Sequence, residues 1–88
     1  MKVEFLKKFS KDLDDIRTKS VKQALIRIIE VMEETDSLDK IPNTKKLKGH
    51  KTEYRTRLGD YRLGFFFENL TILLSCFIHR KDFYKIFY

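Results

Sequence analysis

The sequence predicts a single α+β domain, in which a short N-terminal strand and an antiparallel helix pair pack on a twisted antiparallel β-sheet. Apolar residues in the N-terminal part recur every three to four positions, as along one face of a helix. Residues 54–78 instead contain strand-forming runs separated by tight-turn signals. With 88 residues and 42% hydrophobic content, the chain accommodates one packed domain over residues 1–88.

A strand and two helices form the N-terminal part. Lys2 to Leu6 suits a short strand. Apolar positions then mark the face of a first helix, at Leu6, Phe9, Leu13 and Ile16, and of a second, at Val21, Ala24, Leu25, Ile28 and Met32. Ser20 followed by Gln23 is typical of a capping box and predicts the start of the second helix. Acidic residues near its end oppose the helix dipole, so we expect fraying after Met32.

A connection rich in lysine leads to the sheet. Residues 37–44 include Pro42 and predict an irregular loop. Lys45, Lys46 and Lys48 follow, just before Gly49. These lysines could lie on a solvated surface or at the edge of a phosphate-binding site. Their position ahead of an arginine-rich segment favours the phosphate-binding site.

The segment Tyr54 to Leu63 is predicted to be a β-hairpin. Gly59-Asp60 suits a two-residue loop, which places Arg57 opposite Arg62. Because side chains alternate along a strand, Arg55, Arg57 and Arg62 share one face. Like charges opposite each other are destabilising. The arginines therefore indicate an anion site, and their planar groups fit phosphate.

A third strand is predicted from Leu70 to Ile78, after a turn at Glu68-Asn69. This register places Phe65 opposite Ile72 and Leu63 opposite Leu74, on the face that the helices cover. Phe77 and His79 are expected on the arginine face. That face would be basic at one end and apolar elsewhere, which suits a partner segment or stacked bases.

Charge and cysteine content limit the functional class. Residues 45–88 hold ten basic and four acidic side chains, whereas residues 1–44 are balanced, with nine of each. This asymmetry fits nucleic-acid binding or a solvated basic face. Cys76 lies in an apolar run and is expected to be a buried, inert thiol of a reducing compartment. No signal peptide and no membrane-length apolar stretch is evident, so a cytoplasmic location is expected.

Several kinds of chemistry are not expected. His50 and His79 are isolated, so the sequence indicates neither a metal site nor a cofactor. The glycines are scattered and form no phosphate-binding loop. His79 and Tyr84 remain as candidate proton-transfer groups, and a structural role fits either of them equally well.

Two motifs resemble those of the RelE/ParE toxin superfamily of bacterial type II toxin–antitoxin systems. They are Tyr-Arg-Thr-Arg-Leu-Gly-Asp-Tyr-Arg at 54–62 and His-Arg-Lys-Asp-Phe-Tyr at 79–84. The resemblance implies an antitoxin that wraps the toxin, and metal-independent cleavage of messenger RNA in the ribosomal decoding site. It implies catalytic roles for Arg55, Arg57, Arg62, Arg80 and Tyr84, the last stacking on a base or shuttling a proton. RNA contacts are expected from Lys45, Lys46, Lys48, His79 and Lys81.

The chain also departs from the family pattern. Arginine replaces lysine at positions 55 and 57, and arginine is a poor proton donor or acceptor. His79 or Tyr84 would then transfer the proton, or the rate would rest on electrostatics alone. Because only four residues follow Tyr84, the C-terminal helix of some relatives is expected to be absent or a single turn. Two alternatives remain, a ParE-like toxin that poisons DNA gyrase and an inactive relative that binds DNA or an antitoxin.

Overall fold

The computed structural model describes residues 1–87 and confirms the α+β class. The elements are β1 Lys2–Phe5, α1 Lys7–Asp14, α2 Lys19–Glu34, a 3₁₀ turn Leu38–Lys40, β2 Thr44–Lys46, β3 Glu53–Leu58, β4 Tyr61–Glu68, β5 Thr71–His79 and α3 Arg80–Phe87. One sheet has the strand order β1-β5-β4-β3-β2. Strand β1 runs parallel to β5, and the other neighbours are antiparallel. Within residues 1–87, no helix has the length and apolar character needed to cross a membrane.

Helices α1 and α2 cover one face of the sheet, as the alternation predicts. The core between these helices and the sheet contains Phe9, Leu25, Ile28, Met32, Leu63, Phe65, Ile72, Leu74 and Phe77. A buried carboxylate ties α1 to the sheet, because Asp12 Oδ2 accepts a hydrogen bond from the Phe77 backbone N–H at 3.0 Å. The same carboxylate pairs with Lys8 one helical turn away, which offsets part of its desolvation.

The predicted register between β4 and β5 is wrong. The turn is Asn69-Leu70 instead of Glu68-Asn69, so Phe65 lies opposite Leu74 and Leu63 opposite Phe77. A β-bulge also interrupts the ladder, because Gly64 pairs with Cys76 while Phe65 pairs with Leu74. One extra residue in a strand inverts the facing of every side chain beyond it. Phe77 and His79 therefore lie on the helix-covered face.

Both predictions about the ends of α2 are wrong. The helix begins at Lys19 with Thr18 as N-cap and no side-chain cap, so Ser20 lies inside the first turn. It continues to Glu34. The amino group of Met1 donates to the carbonyls of Met32, Glu33 and Thr35 at 3.0, 2.8 and 2.7 Å. A cation bound to the last carbonyls compensates for the acidic side chains at this end.

The expectation that the C-terminal helix is absent or a single turn is also wrong. Helix α3 begins at Arg80, directly after β5, so most of it precedes the last four residues. Its Phe83 is fully buried in a second, small cluster with Leu47 and Cys76, on the face opposite α1 and α2. Cys76 is buried, as predicted, and burial raises the pKa of its thiol. An eight-residue helix depends on such docking, because its own propensity is insufficient.

We predict that Leu70→Gly stabilises the protein by about 0.5–1 kcal/mol, measured by urea unfolding. Asn69 and Leu70 both have positive φ, 51° and 58°, and a leucine side chain is strained in that region. Leu70 is 72% exposed, so little burial is lost. Asn-Gly is also a preferred pair for such hairpin turns.

The matched control is Gly59→Ala in the other hairpin turn. Gly59 has a φ of +60° and open space around its Cα, so alanine adds strain without a clash. We expect a loss of about 1 kcal/mol. A stability gain for Gly59→Ala, or a loss for Leu70→Gly, would contradict the argument from backbone strain.

Candidate active site

The arginine face of the β3–β4 hairpin forms the floor of the site. The two-residue Gly59-Asp60 turn is confirmed, with Leu58 opposite Tyr61 and Arg57 opposite Arg62. On the next strand, Lys45 lies opposite Arg55. Because paired residues share a face, these four cations belong to one side of the sheet.

Helix α3 lies on the same face, and a glycine makes its close approach feasible. A Cβ at Gly64 would stand 2.7 Å from Cys76 Sγ and 3.2 Å from Phe83 Cε2. No larger residue fits there without displacing one of these neighbours. Phe83 therefore packs directly on the sheet, and the next residue, Tyr84, reaches the arginines.

Arg62 is buried on this face, with 6% of its surface exposed. Its Nη1 donates to the carbonyls of Gly59 and Tyr61 at 2.8 and 2.9 Å. Its Nε is buried and has no hydrogen-bond partner in residues 1–87. No carboxylate of this part of the chain pairs with it.

The remaining cations are accessible to a ligand. Lys45, Arg55 and Arg57 line a shallow cavity of about 260 Å³ together with Asn43 and Thr44, and we call this the cationic cleft. The Asn43 carbonyl accepts from Arg55 Nη1 at 2.9 Å and from the Arg57 backbone N–H at 3.0 Å. Arg57 is exposed and forms no ion pair within residues 1–87.

Tyr84 stands beside these cations and is 44% exposed. The guanidinium of Arg62, with the charges of Arg55 and Lys45, lowers the pKa of its hydroxyl, although partial burial opposes the shift. Positive charges favour the phenolate form. The site thus combines accessible cations with a phenol whose pKa is lowered by neighbouring positive charge.

Comparison with known proteins identifies the family. The model for the ParE toxin of type II toxin–antitoxin systems matches residues 3–84. The chain belongs to the RelE/ParE toxin superfamily. It is 36% identical to Toxin RelE3 of Methanocaldococcus jannaschii over 88 residues, which cover 99% of both proteins. The resemblance predicted from the two motifs is thereby confirmed.

Solved structures agree that this is a RelE-like type II toxin. One similar chain comes from the RelB–RelE antitoxin–toxin complex of Methanococcus jannaschii, with a TM-score of 0.84, 33% identity and coverage of 97% of this chain and 99% of that one. A chain of the RelE–RelB complex of Pyrococcus horikoshii shares the fold, with a TM-score of 0.70, 23% identity and coverage of 90% and 93%.

The toxin's other predicted site residues are dispersed. Arg80 flanks the hairpin turn, where its backbone N–H donates to the Asp60 carbonyl at 2.8 Å and its Nε lies 3.9 Å from Asp60 Oδ1. Lys48 and Lys81 are exposed. Lys46 lies opposite Tyr54, which stacks on the core residue Phe65, so this lysine is on the helix-covered face.

The prediction that His79 joins the arginine face is wrong. The bulge turns His79 toward Tyr61, with ring centroids 5.8 Å apart, and both line a cavity with the carboxylates of Asp12, Asp15 and Asp82. Sequence reasoning also missed Asn43 and Gly64. Asn43 could have been recognised as a turn residue from its type, because asparagine tolerates the left-handed φ of 57° observed there.

We predict that Gly64→Ala destabilises the toxin by about 1–3 kcal/mol, because the added methyl group overlaps Cys76 Sγ. Thermal unfolding measures the loss. Cys76→Ala removes the overlapping atom, so the double variant should be more stable than the sum of the single effects implies. Strict additivity would show that the contact at Gly64 does not restrain the helix.

Proposed function

We propose that this toxin is a metal-independent endoribonuclease that cleaves messenger RNA in the cytoplasm, on the ribosome, and thereby inhibits translation. The family resemblance suggests the reaction, in which a 2′-hydroxyl attacks the adjacent phosphate. Such a reaction needs a proton acceptor for the hydroxyl and positive charge near the phosphoryl oxygens. The surface that binds the RNA backbone must also be positively charged.

This proposal rests on the presence, on one face of the sheet, of accessible cations and of Tyr84, a phenol whose pKa is lowered. The cationic cleft offers Lys45, Arg55 and Arg57 to the phosphate. Tyr84 is the proposed proton acceptor, and its pKa is lowered chiefly by Arg62. Arg80, beside the hairpin turn, and the exposed Lys48 and Lys81 extend the positive surface along which RNA would lie.

We further propose that a cognate antitoxin binds the opposite side of the toxin. Two similar structures are antitoxin–toxin complexes. In this chain, α1, α2 and β1 border a groove of about 420 Å³, lined by Phe5, Leu13, Asp14, Lys22, Leu25, Ile26, Ile29, Glu30 and Glu33. Its centre is apolar and its rim is mainly acidic. An apolar antitoxin segment with basic flanking residues would complement this groove.

We predict that Arg57→Gln lowers the rate of RNA cleavage by about 10²–10³-fold, because one charge-stabilising donor is lost. The measurement maps messenger RNA ends after induction of the toxin without antitoxin, and repeats the assay with purified ribosomes programmed with messenger RNA. Lys46→Gln removes the same charge from the other face and should cleave at nearly the wild-type rate.

Intact transcripts during growth arrest would contradict the ribonuclease proposal. The same preparations should leave supercoiling by DNA gyrase unaffected. Inhibition of gyrase that persists in Arg57→Gln would instead support the ParE-like alternative, in which the cleft has no catalytic role.

We also predict that Ile26→Glu weakens antitoxin binding about tenfold or more, because it places an unpaired charge in an apolar contact. Ile26 is 55% exposed, so the substitution should not disturb folding. Co-expression with the cognate antitoxin should no longer restore growth, while RNA cleavage by the variant alone stays unchanged. Full rescue of growth would exclude this groove as the binding surface.

A further inference from the structure

Asn43 has a left-handed backbone conformation outside the two-residue hairpin turns. Within residues 1–87, the residues other than glycine with positive φ are Asn43 at 57°, Asn69 at 51° and Leu70 at 58°. Asn69 and Leu70 form the turn between β4 and β5, where positive φ is the preferred conformation. Asn43 instead lies in the connection that leads into β2. Backbone conformations of this kind are enriched at active sites and ligand clamps.

The conformation of Asn43 directs its carbonyl to two groups of β3. The oxygen accepts from Arg55 Nη1 at 2.9 Å and from the Arg57 backbone N–H at 3.0 Å. One carbonyl therefore contacts the guanidinium of one cation and the backbone that carries the next cation. All three residues line the cationic cleft.

The chain is held in place on both sides of Asn43. Ile41 is 3% exposed and belongs to the main core. On the other side, the Thr44 hydroxyl lies 2.6 Å from the hydroxyl of Thr56, which is fully buried on the neighbouring strand. A carbonyl between two such attachments has little freedom, so it can hold a charged partner in one orientation.

Arg55 needs this restraint because neighbouring cations repel it. Lys45 lies directly opposite on β2, and Arg57 follows two residues later on the same face of β3. Like charges at such positions are destabilising, and they favour conformations in which the long side chain turns away into solvent. A hydrogen bond from a charged donor is stronger than one between neutral groups, so the Asn43 carbonyl can keep the guanidinium at the cleft.

We propose that Asn43 is a positioning residue, whose main-chain carbonyl holds the Arg55 guanidinium and the β3 backbone at Arg57 in the orientation that an RNA phosphate meets. This inference rests on the proposed ribonuclease function. Every residue has a carbonyl, and what asparagine contributes is its tolerance of the left-handed conformation. The carboxamide of Asn43 has no role of its own in the reaction.

The test separates the backbone of position 43 from its side chain. Asn43→Val introduces a β-branched residue, which disfavours the left-handed region, so the carbonyl should turn away from Arg55. Asn43→Gly also lacks the carboxamide, but it accepts positive φ without strain. Asn69→Val is the matched control, because it imposes the same strain in a turn that does not line the cleft.

The first measurement is cleavage of messenger RNA on purified ribosomes, with kcat and KM determined separately. Asn43→Val keeps every charge of the cleft, so KM should change by no more than about twofold. A misplaced charge stabilises the transition state poorly, so kcat should fall about 10–10²-fold. Asn43→Gly should restore kcat, and Asn69→Val should lower stability without lowering kcat.

The second measurement does not depend on catalysis. In NMR spectra of the purified toxin, the Arg57 amide proton should exchange slowly with solvent in the wild type and in Asn43→Gly. Exchange should be about tenfold faster or more in Asn43→Val, because this amide loses its acceptor. The Nη–H signals of Arg55 should broaden in the same variant, because the hydrogen bond no longer slows rotation of the guanidinium.

An equal loss of kcat in Asn43→Gly and Asn43→Val would overturn the proposal, because the carboxamide would then be the group that acts on RNA. Slow exchange of the Arg57 amide in Asn43→Val, or an unchanged kcat despite fast exchange, would also contradict it.

If Asn43→Val does not fold, as judged by circular dichroism, Asn43→Ala replaces it, with a smaller loss of kcat expected in the same direction. A wild-type toxin that cleaves no RNA would refute the ribonuclease function alone. The NMR measurement would still decide whether the backbone conformation at position 43 holds Arg55 and β3.

Discussion

The close contact of α3 with the sheet at Gly64 is the constraint on which the site depends. The absence of a side chain at this position lets Phe83 pack within van der Waals distance of β4 and β5. Because Phe83 is fully buried, the orientation of the helix is determined, and Tyr84 projects over the arginine face. A residue without any catalytic group thus decides whether Tyr84 lies near the cations.

The cations of the hairpin are of two kinds. Arg55 and Arg57 remain in an open cleft, where water screens their charges and an anionic ligand can replace that water. Arg62 lies in a less polar environment, where its field on a neighbouring hydroxyl is stronger. Within residues 1–87, Arg62 has no carboxylate partner. Burial of such a charge reduces stability, so selection for function is the physical reason that we infer for this arrangement.

The β-bulge in β5 keeps the two faces of the sheet chemically distinct. Beyond the bulge, Phe77 joins the main core and Cys76 packs beneath α3. Without the extra residue, Phe77 would lie on the arginine face and Cys76 on the core face. His79 follows the same inversion and lies near Asp12, Asp15 and Asp82, away from the cationic cleft. The bulge therefore leaves Tyr84 as the proton-transfer candidate adjoining the arginines.

Local rules in the sequence determined the helix faces, the Gly59-Asp60 turn and the facing of Arg57 and Arg62, because periodicity and a two-residue loop fix register over short distances. The motifs at 54–62 and 79–84 also identified the family. Tertiary structure decided the register of β5. Because both faces of this strand carry apolar residues, its sequence shows no polar–apolar alternation that a bulge would visibly interrupt. Tertiary structure also decided that α3 forms and that Arg62 is buried. Both depend on packing between residues distant in sequence, such as Gly64 and Phe83, which no local pattern encodes.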